Sequence, residues 1–150
     1  MSDSLSREKR SWNMSRIKGK DTSIEIMVRK YLFHRGFRYR KNVCGMPGKP
    51  DIVLPKYHTV IFVHGCFWHR HPGCKFAYSP KTRIDYWQAK FDANVRNDQK
   101  NIQLLKADGW NVLVLWECDI RKNFETTMEN AVLKIEADMA YEHFIKEADG

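Results

Sequence analysis

The sequence predicts a single α/β domain with a mixed central sheet flanked by helices, and three observations carry that reading. Asp51–Leu54, Thr59–Val63 and Trp110–Trp116 are short β-branched and apolar runs of the kind that form buried strands. Apolar residues recur at helical spacing through residues 22–32, 84–105 and 128–139. The two patterns alternate along the chain in the order α-β-β-β-α-β-α, which layers helices on the faces of a sheet.

The first helix is expected near Asp21-Thr22, where Thr22-Ser23-Ile24-Glu25 fits a capping box. Ile24, Met27, Val28, Tyr31 and Leu32 supply its apolar stripe, and Gly36 its stop. Phe37 to Val43 reads as a strand with one wet, basic face, followed by a turn over Gly45, Pro47, Gly48 and Pro50. The next two runs form a hairpin across Pro55–His58. Centred near Lys56-Tyr57, it sets Asp51 opposite roughly Phe62 and beside Val63 and His64. A long helix from about Arg83 to Asp108 carries Ile84, Trp87, Phe91, Val95, Ile102 and Leu105. The strand to Trp116 closes on Glu117-Cys118, and a last helix from about Asn123 carries Met128, Val132, Ile135 and Met139.

At 150 residues the chain can bury a sizeable core as one domain. Its 26 Lys+Arg against 18 Asp+Glu leave a net charge of +8, which favours a polyanionic partner such as nucleic acid; composition leaves a merely basic soluble protein open as the alternative. Residues 1–20 are the most cationic stretch, with Arg7, Lys9, Arg10, Arg16, Lys18 and Lys20. They read as a basic arm preceding a domain over 21–150, and Trp12 and Met14 favour a contacting arm over a solvated tail. No apolar run approaches the ~20 residues of a membrane span. The N-terminus lacks the apolar centre of a secretory signal, so a cytoplasmic setting with reduced thiols is expected.

The densest chemistry lies in residues 63–74, V-H-G-C-F-W-H-R-H-P-G-C. Cys66, His69, His71 and Cys74 give C-x2-H-x-H-x2-C, and Cys118 arrives at the end of a later strand. Three cysteines and one of the two histidines would close a tetrahedral Zn²⁺ site that pins the loop. The bland alternative is buried, unligated thiols, as Cys44 in its turn is expected to be. Spacing leaves His69 and His71 interchangeable; whichever is left over is suited to proton transfer. Asp51 stands at the mouth of a buried strand. There it caps the preceding turn or, with a backbone carbonyl and waters, holds a hard cation such as Mg²⁺. Glu25 could orient one of those waters, although its position already explains it as the capping partner of Thr22. Phe67-Trp68 either face outward to stack on bases or tuck into the core.

These residues resemble the very short patch repair endonucleases, bacterial enzymes that nick DNA at T·G mismatches. The resemblance is carried by D-T-S-I-E at 21–25, P-G-K-P-D at 47–51, V-I-F-V-H-G-C-F-W-H at 60–69 and V-L-W-E-C at 114–118. It implies a restriction-endonuclease-like core and a strand nicked 5′ of the thymine. It implies Mg²⁺ on Asp51 and the Val63 carbonyl, with Glu25, His64 and Asp98 holding the cation's waters and His69 as catalytic acid/base. It also implies structural Zn²⁺ on Cys66, His71, Cys74 and Cys118. Phe67, Trp68 and Trp87 would intercalate beside the mismatch, Lys90 and Asn94 would reach bases, and the arm with Trp12, Met14 and Arg16 would clasp the duplex. A monomer acting on double-stranded DNA is implied, with recruitment by other repair proteins left open. Two departures are visible: Val63 stands where Thr is common, and the His71–Cys74 spacing is one residue longer, with Pro72-Gly73 between. The rival readings are a non-catalytic zinc-stabilised DNA-binding module and a zinc hydrolase of small molecules.

Overall fold

Residues 22–41 and 43–149 are described by a computed structural model. The elements are α1 (Ser23–His34), β1 (Arg40–Lys41), β2 (Ile52–Leu54), a 3-10 turn (Pro55–Tyr57), β3 (Thr59–His64), α2 (Ile84–Ala107), β4 (Asn111–Trp116), α3 (Glu117–Lys122) and α4 (Phe124–Asp149). The strands form one mixed sheet in the order β1-β2-β3-β4. Pairing is antiparallel from β1 to β3 and parallel between β3 and β4. A parallel pair needs a long crossover, and the loop 65–83 with α2 provides it.

β2 and β3 are buried on both faces because helices cover both, whereas β1 is an exposed Arg40–Lys41 edge and β4 is half-buried apart from Leu115. Ile52, Leu54, Ile61, Val63 and Leu115 pack with Ile24, Val28 and Leu32 of α1, Ile120 of α3, and Met128, Val132 and Ile135 of α4. The alternate positions, Val53, Val60 and Phe62, pack with Ile102 and Leu105 of α2. This period-2 division sends Asp51, Phe62 and His64 to the α2 side. Each fully buried Ile, Leu or Met contributes roughly 1.5–3 kcal/mol over its exposed state.

The hairpin register pairs Ile52 with Ile61, Val53 with Val60 and Leu54 with Thr59, so Asp51 falls opposite Phe62, as the sequence places it. Thr22 caps α1, its Oγ1 accepting from the Glu25 N–H at 3.4 Å. Gly36 ends α1 at φ 92°, a left-handed conformation that releases the Phe37 N–H to the Leu32 carbonyl at 2.9 Å.

Four expectations change. The strand over Phe37–Val43 shrinks to Arg40–Lys41, because Phe37 turns inward against Tyr57, with ring centroids 4.9 Å apart. Met27 is 43% exposed, because α1 buries Glu25 and Arg29 along with Ile24, Val28 and Leu32, which rotates position 27 outward. Ile84 is 61% exposed at the first residue of α2, before that helix meets the sheet. Finally, Glu117-Cys118 do not extend β4 but begin α3, a helix of six residues whose period is too short to read. The basic arm, with Trp12, Met14 and Arg16, lies outside the described residues.

Candidate active site and metal centre

The open C-terminal end of β3 and the adjoining start of β2 gather the titratable residues. Asp51 Oδ2 accepts the Val63 N–H at 2.6 Å, which ties the carboxylate to the last turn of the ladder. Burial pushes the Asp51 carboxyl up to about 6; the Val63 N–H opposes that, Glu25 adds to it, and His69 and Arg29 oppose it. His64, 6% exposed, is pushed down to about 4 by burial and by His69, with Asp98 opposing. It is therefore a neutral imidazole at physiological pH.

His69 stacks on His64 with centroids 3.8 Å apart and planes 5° from parallel. Its Nδ1 lies 2.7 Å from Asp98 Oδ2 on α2. With Nδ1 as donor, Asp98 fixes the ring and leaves Nε2 as the basic nitrogen. His64, His69 and Asp98 each offer a donor atom within 4.8 Å of the others, a set that could itself hold a cation.

Around them opens a cleft of 1040 Å³ walled by α1, the 43–49 turn, β3 and α2. From α2 it takes Lys90, Asn94, Asn97, Asp98 and Asn101, spaced four, three, one and three residues apart as one helical stripe. Lys49, Asn97, Asn101 and Arg121 are cleft residues that sequence reasoning missed. The polar stripe beside Phe91, Val95, Ile102 and Leu105 was the available signal for the two asparagines. Gly48 brings the turn against α2: at φ 74°, any Cβ there would sit 3.0 Å from the Asn101 Cβ and 3.2 Å from the Phe62 ring. Glu25, 6% exposed, faces the cleft with Arg29 NH1 3.8 Å from its Oε2. Arg29, 5% exposed, is a buried cation that no periodicity announces.

A second cluster sits behind the first. Cys66, His71, Cys74 and Cys118 bring their ligand atoms within 4.8 Å of one another. Nδ1 of His71 lies 3.6 Å from Cys66 Sγ and 3.4 Å from Cys118 Sγ. A tetrahedron with Zn–S of about 2.3 Å and Zn–N of about 2.05 Å has an S···N edge of about 3.6 Å, so the donor set fits zinc. Burial first, and then the crowding of neighbouring thiols, pushes Cys66 up to about 12, a penalty that a bound cation removes. The Cys118 N–H donates to Cys66 Sγ at 3.4 Å, and the His71 ring stacks on Trp116 at 4.3 Å. Thus the structure brings His71 to the cysteines and His69 to Asp98, a division that spacing left open. Cys44 is exposed, lines the cleft and is not one of these four residues.

Phe67 and Trp68 follow neither sequence alternative completely. Both are half-buried, in an aromatic cluster with Trp87 and Phe91 of α2: Phe67 to Phe91 is 5.3 Å, Phe67 to Trp87 is 6.2 Å and Trp68 to Trp87 is 6.1 Å. Asn94 Nδ2 donates to the Trp68 carbonyl at 3.2 Å, so this side chain braces the loop. Lys90 is half-buried on the same wall.

Comparison with known proteins adds an independent line. A family model described as DNA mismatch endonuclease Vsr matches residues 2–75. The chain is 38% identical over 136 residues to DNA mismatch endonuclease Vsr of Escherichia coli (strain K12), covering 91% of this chain and 86% of that protein. It is 47% identical over 121 residues to Type II nicking enzyme V.NmeAIP of Neisseria meningitidis, covering 81% of this chain and 86% of the relative. Against Type II nicking enzyme V.XorIIP of Xanthomonas oryzae pv. oryzae it is 45% identical over 120 residues, 80% of this chain and 88% of the relative.

Proposed function

The chain belongs to the DNA mismatch endonuclease Vsr family, and from that premise we propose that it nicks one strand of double-stranded DNA 5′ of the thymine in a T·G mismatch. The reaction is Mg²⁺-dependent hydrolysis of a phosphodiester, leaving a 5′-phosphate and a 3′-hydroxyl. The observation that carries it is the convergence of Asp51, His64, His69 and Asp98 on one cleft.

Asp51 and the Val63 carbonyl would hold Mg²⁺, a fit supported by a desolvated carboxylate with Glu25 close enough to disfavour its charge. Bound there, the cation would supply charge neutralisation at the scissile phosphate. Glu25, His64 and Asp98 would hold waters at the cation's edge. His69 would move the proton at Nε2, between attacking water and solvent or leaving oxygen, while Asp98 keeps Nδ1–H in place. His64, kept neutral by burial, adds no repulsion when the stacked His69 ring becomes cationic.

Cys66, His71, Cys74 and Cys118 would hold a structural Zn²⁺ that fixes the loop carrying His69. Phe67, Trp68 and Trp87 would enter the base stack, where a mismatch is easiest to unstack. Lys90 and Asn94 would reach base edges, and the arm with Trp12, Met14 and Arg16 would close on the opposite groove. The sheet with α2 would be a restriction-endonuclease-like core, acting as a cytoplasmic monomer and open to recruitment by other repair proteins. Among the described residues no helix is long and apolar enough to cross a membrane.

The test is incubation of end-labelled T·G duplex with Mg²⁺, beside a matched duplex and a chelated control. A single nick confined to the mismatched duplex with metal is expected. Folded protein that leaves the T·G duplex intact, or cuts both duplexes equally, refutes the proposal.

A further inference from the structure

Residues 75–83, which follow the Cys/His cluster, form neither helix nor strand, yet the stretch from there into α2 presents large side chains to solvent. Phe76 is 46% exposed, Tyr78 63%, and Tyr86, in the first turn of α2, 47%. Cations stand over two of these rings: Lys75 Nζ is 5.2 Å and Lys122 Nζ 5.5 Å from the Phe76 centroid, and the Arg83 guanidinium is 4.3 Å from that of Tyr86. Exposed rings interleaved with cations make a surface that stacks bases and neutralises phosphates.

Tyr78 differs from its neighbours in how it is held. Arg70, at φ 55°, donates from NH1 to the Phe67 carbonyl at 3.2 Å and to the Tyr78 carbonyl at 3.0 Å, and from NH2 to the Ala77 carbonyl at 2.8 Å. Its guanidinium also lies 3.9 Å over the Phe91 ring of α2. One side chain thus ties the start of the loop, its far side and the helix together. As a result the exposed Tyr78 ring is set 5.0 Å from Phe67 at 37°, on a backbone held by the Arg70 bonds to the Ala77 and Tyr78 carbonyls.

We propose that Tyr78 stacks on a DNA base beside Phe67, and that Arg70 is the positioning residue that sets it there. Tyr78 touches the DNA, and Arg70 acts only through it and through Phe67. The assignment rests on the DNA-cleaving reading above and extends its contact surface beyond the cleft.

The test uses the zinc-loaded full chain and a fluorescent T·G duplex. Affinity is read without Mg²⁺, and the single-turnover rate with Mg²⁺ at saturating protein. Tyr78→Ala is expected to weaken affinity by roughly tenfold or more, with the saturated rate within about twofold, and Tyr78→Phe and Tyr78→Trp should bind like the parent. Arg70→Ala should weaken affinity similarly, and adding it to Tyr78→Ala should cost less than Arg70→Ala costs alone, because only its hold on Phe67 is then left to lose. Arg70→Lys should recover only part of the loss, since an ammonium cannot serve three carbonyls as a planar fork does. At 63% exposure Tyr78 can be replaced without threatening the fold, so the Tyr78 series decides even if Arg70→Ala unfolds. A flat series, with Ala binding like Tyr, overturns the assignment, as does failure of Phe to substitute. If the parent chain neither binds nor nicks the duplex, the functional reading fails and takes this assignment with it. Normal cleavage with a flat Tyr78 series refutes the assignment alone.

Discussion

Asp51→Asn should stabilise the Mg²⁺-free protein while abolishing nicking. The carboxyl rises from 3.8 to about 6 in the folded chain, so the native state holds this proton more tightly than the unfolded state does. Stability therefore falls as pH rises from about 4 through about 6, and the deficit is complete above that. About two pK units correspond to about 3 kcal/mol, an upper figure because solvent reaches the cleft mouth. An asparagine at 51 can still accept the Val63 N–H through its amide oxygen, but it carries no charge to desolvate.

The variant should gain about 1–3 kcal/mol at pH 7.5, or roughly 2–9 °C in Tm for a chain of this size. That gain should fall to about half by pH 5. The assay is paired thermal or urea unfolding of parent and variant with zinc retained and Mg²⁺ omitted. Adding Mg²⁺ should raise the parent's stability alone and narrow the gap, because the cation binds only the carboxylate form. A variant no more stable than the parent at pH 7.5, or a difference that does not change down to pH 5, refutes the electrostatic account of Asp51.

His69→Ala should lower the nicking rate by roughly 10²–10⁴-fold with duplex affinity nearly unchanged, read by single-turnover kinetics beside an anisotropy titration. Asp98→Asn, which keeps the shape but weakens the hold on Nδ1, should lose less than His69→Ala in the same assay. Cys118→Ser should reduce bound zinc below one per chain by elemental analysis and lower Tm by roughly 10 °C or more, since the loop loses its tether to α3. Met128 of α4, fully buried in the core shared with α1, the sheet and Ile120 of α3, should cost about 2–5 kcal/mol on conversion to Ala by urea unfolding, with zinc content unchanged.

The parts of this molecule legible in the sequence are those governed by short-range rules. The Asp51–Leu54 and Thr59–Val63 runs flank one short turn, so their register, and the place of Asp51 opposite Phe62, followed from counting. The four-ligand cluster was legible to within one histidine. What separates His71 from His69 is a fold within the loop, where the His71 N–H meets the Cys66 carbonyl at 3.1 Å and returns that imidazole to the cysteines. Spacing carries no record of such a turn. Glu25 shows another limit, because the third position after a helix cap and the inward face of α1 are the same place. The cap is formed at Thr22, and the Glu25 side chain is nonetheless buried beside Arg29 at the cleft. Arg29 itself lay outside the expected stripe of Ile24, Met27, Val28, Tyr31 and Leu32, and the His69–Asp98 contact spans 29 residues, beyond the reach of any local pattern.

The parallel pairing of β3 with β4 explains how the proposed zinc cluster would govern the proposed active site. Its register sets His64 beside Trp116, so both chains leave the sheet side by side. Two residues further on, each carries a cysteine, Cys66 on one and Cys118 on the other. Parallel alignment thus delivers two of the four ligands from segments far apart in sequence, and the loop beyond Cys66 has only to bring back His71 and Cys74. The same exit point sends His64 into the cleft, and the residues between Cys66 and His71 include Phe67, Trp68 and His69. A cation held by these four side chains would therefore fix Phe67, Trp68 and His69 at once, relative to Asp51 at the start of the neighbouring strand. The cleft gathers a desolvated acid, which is unfavourable to folding at neutral pH. The two departures in this chain are compatible with the proposed metal sites. A backbone carbonyl at Val63 would serve the proposed cation whatever the side chain, and Pro72-Gly73 lengthens the turn while all four donor atoms stay within 4.8 Å.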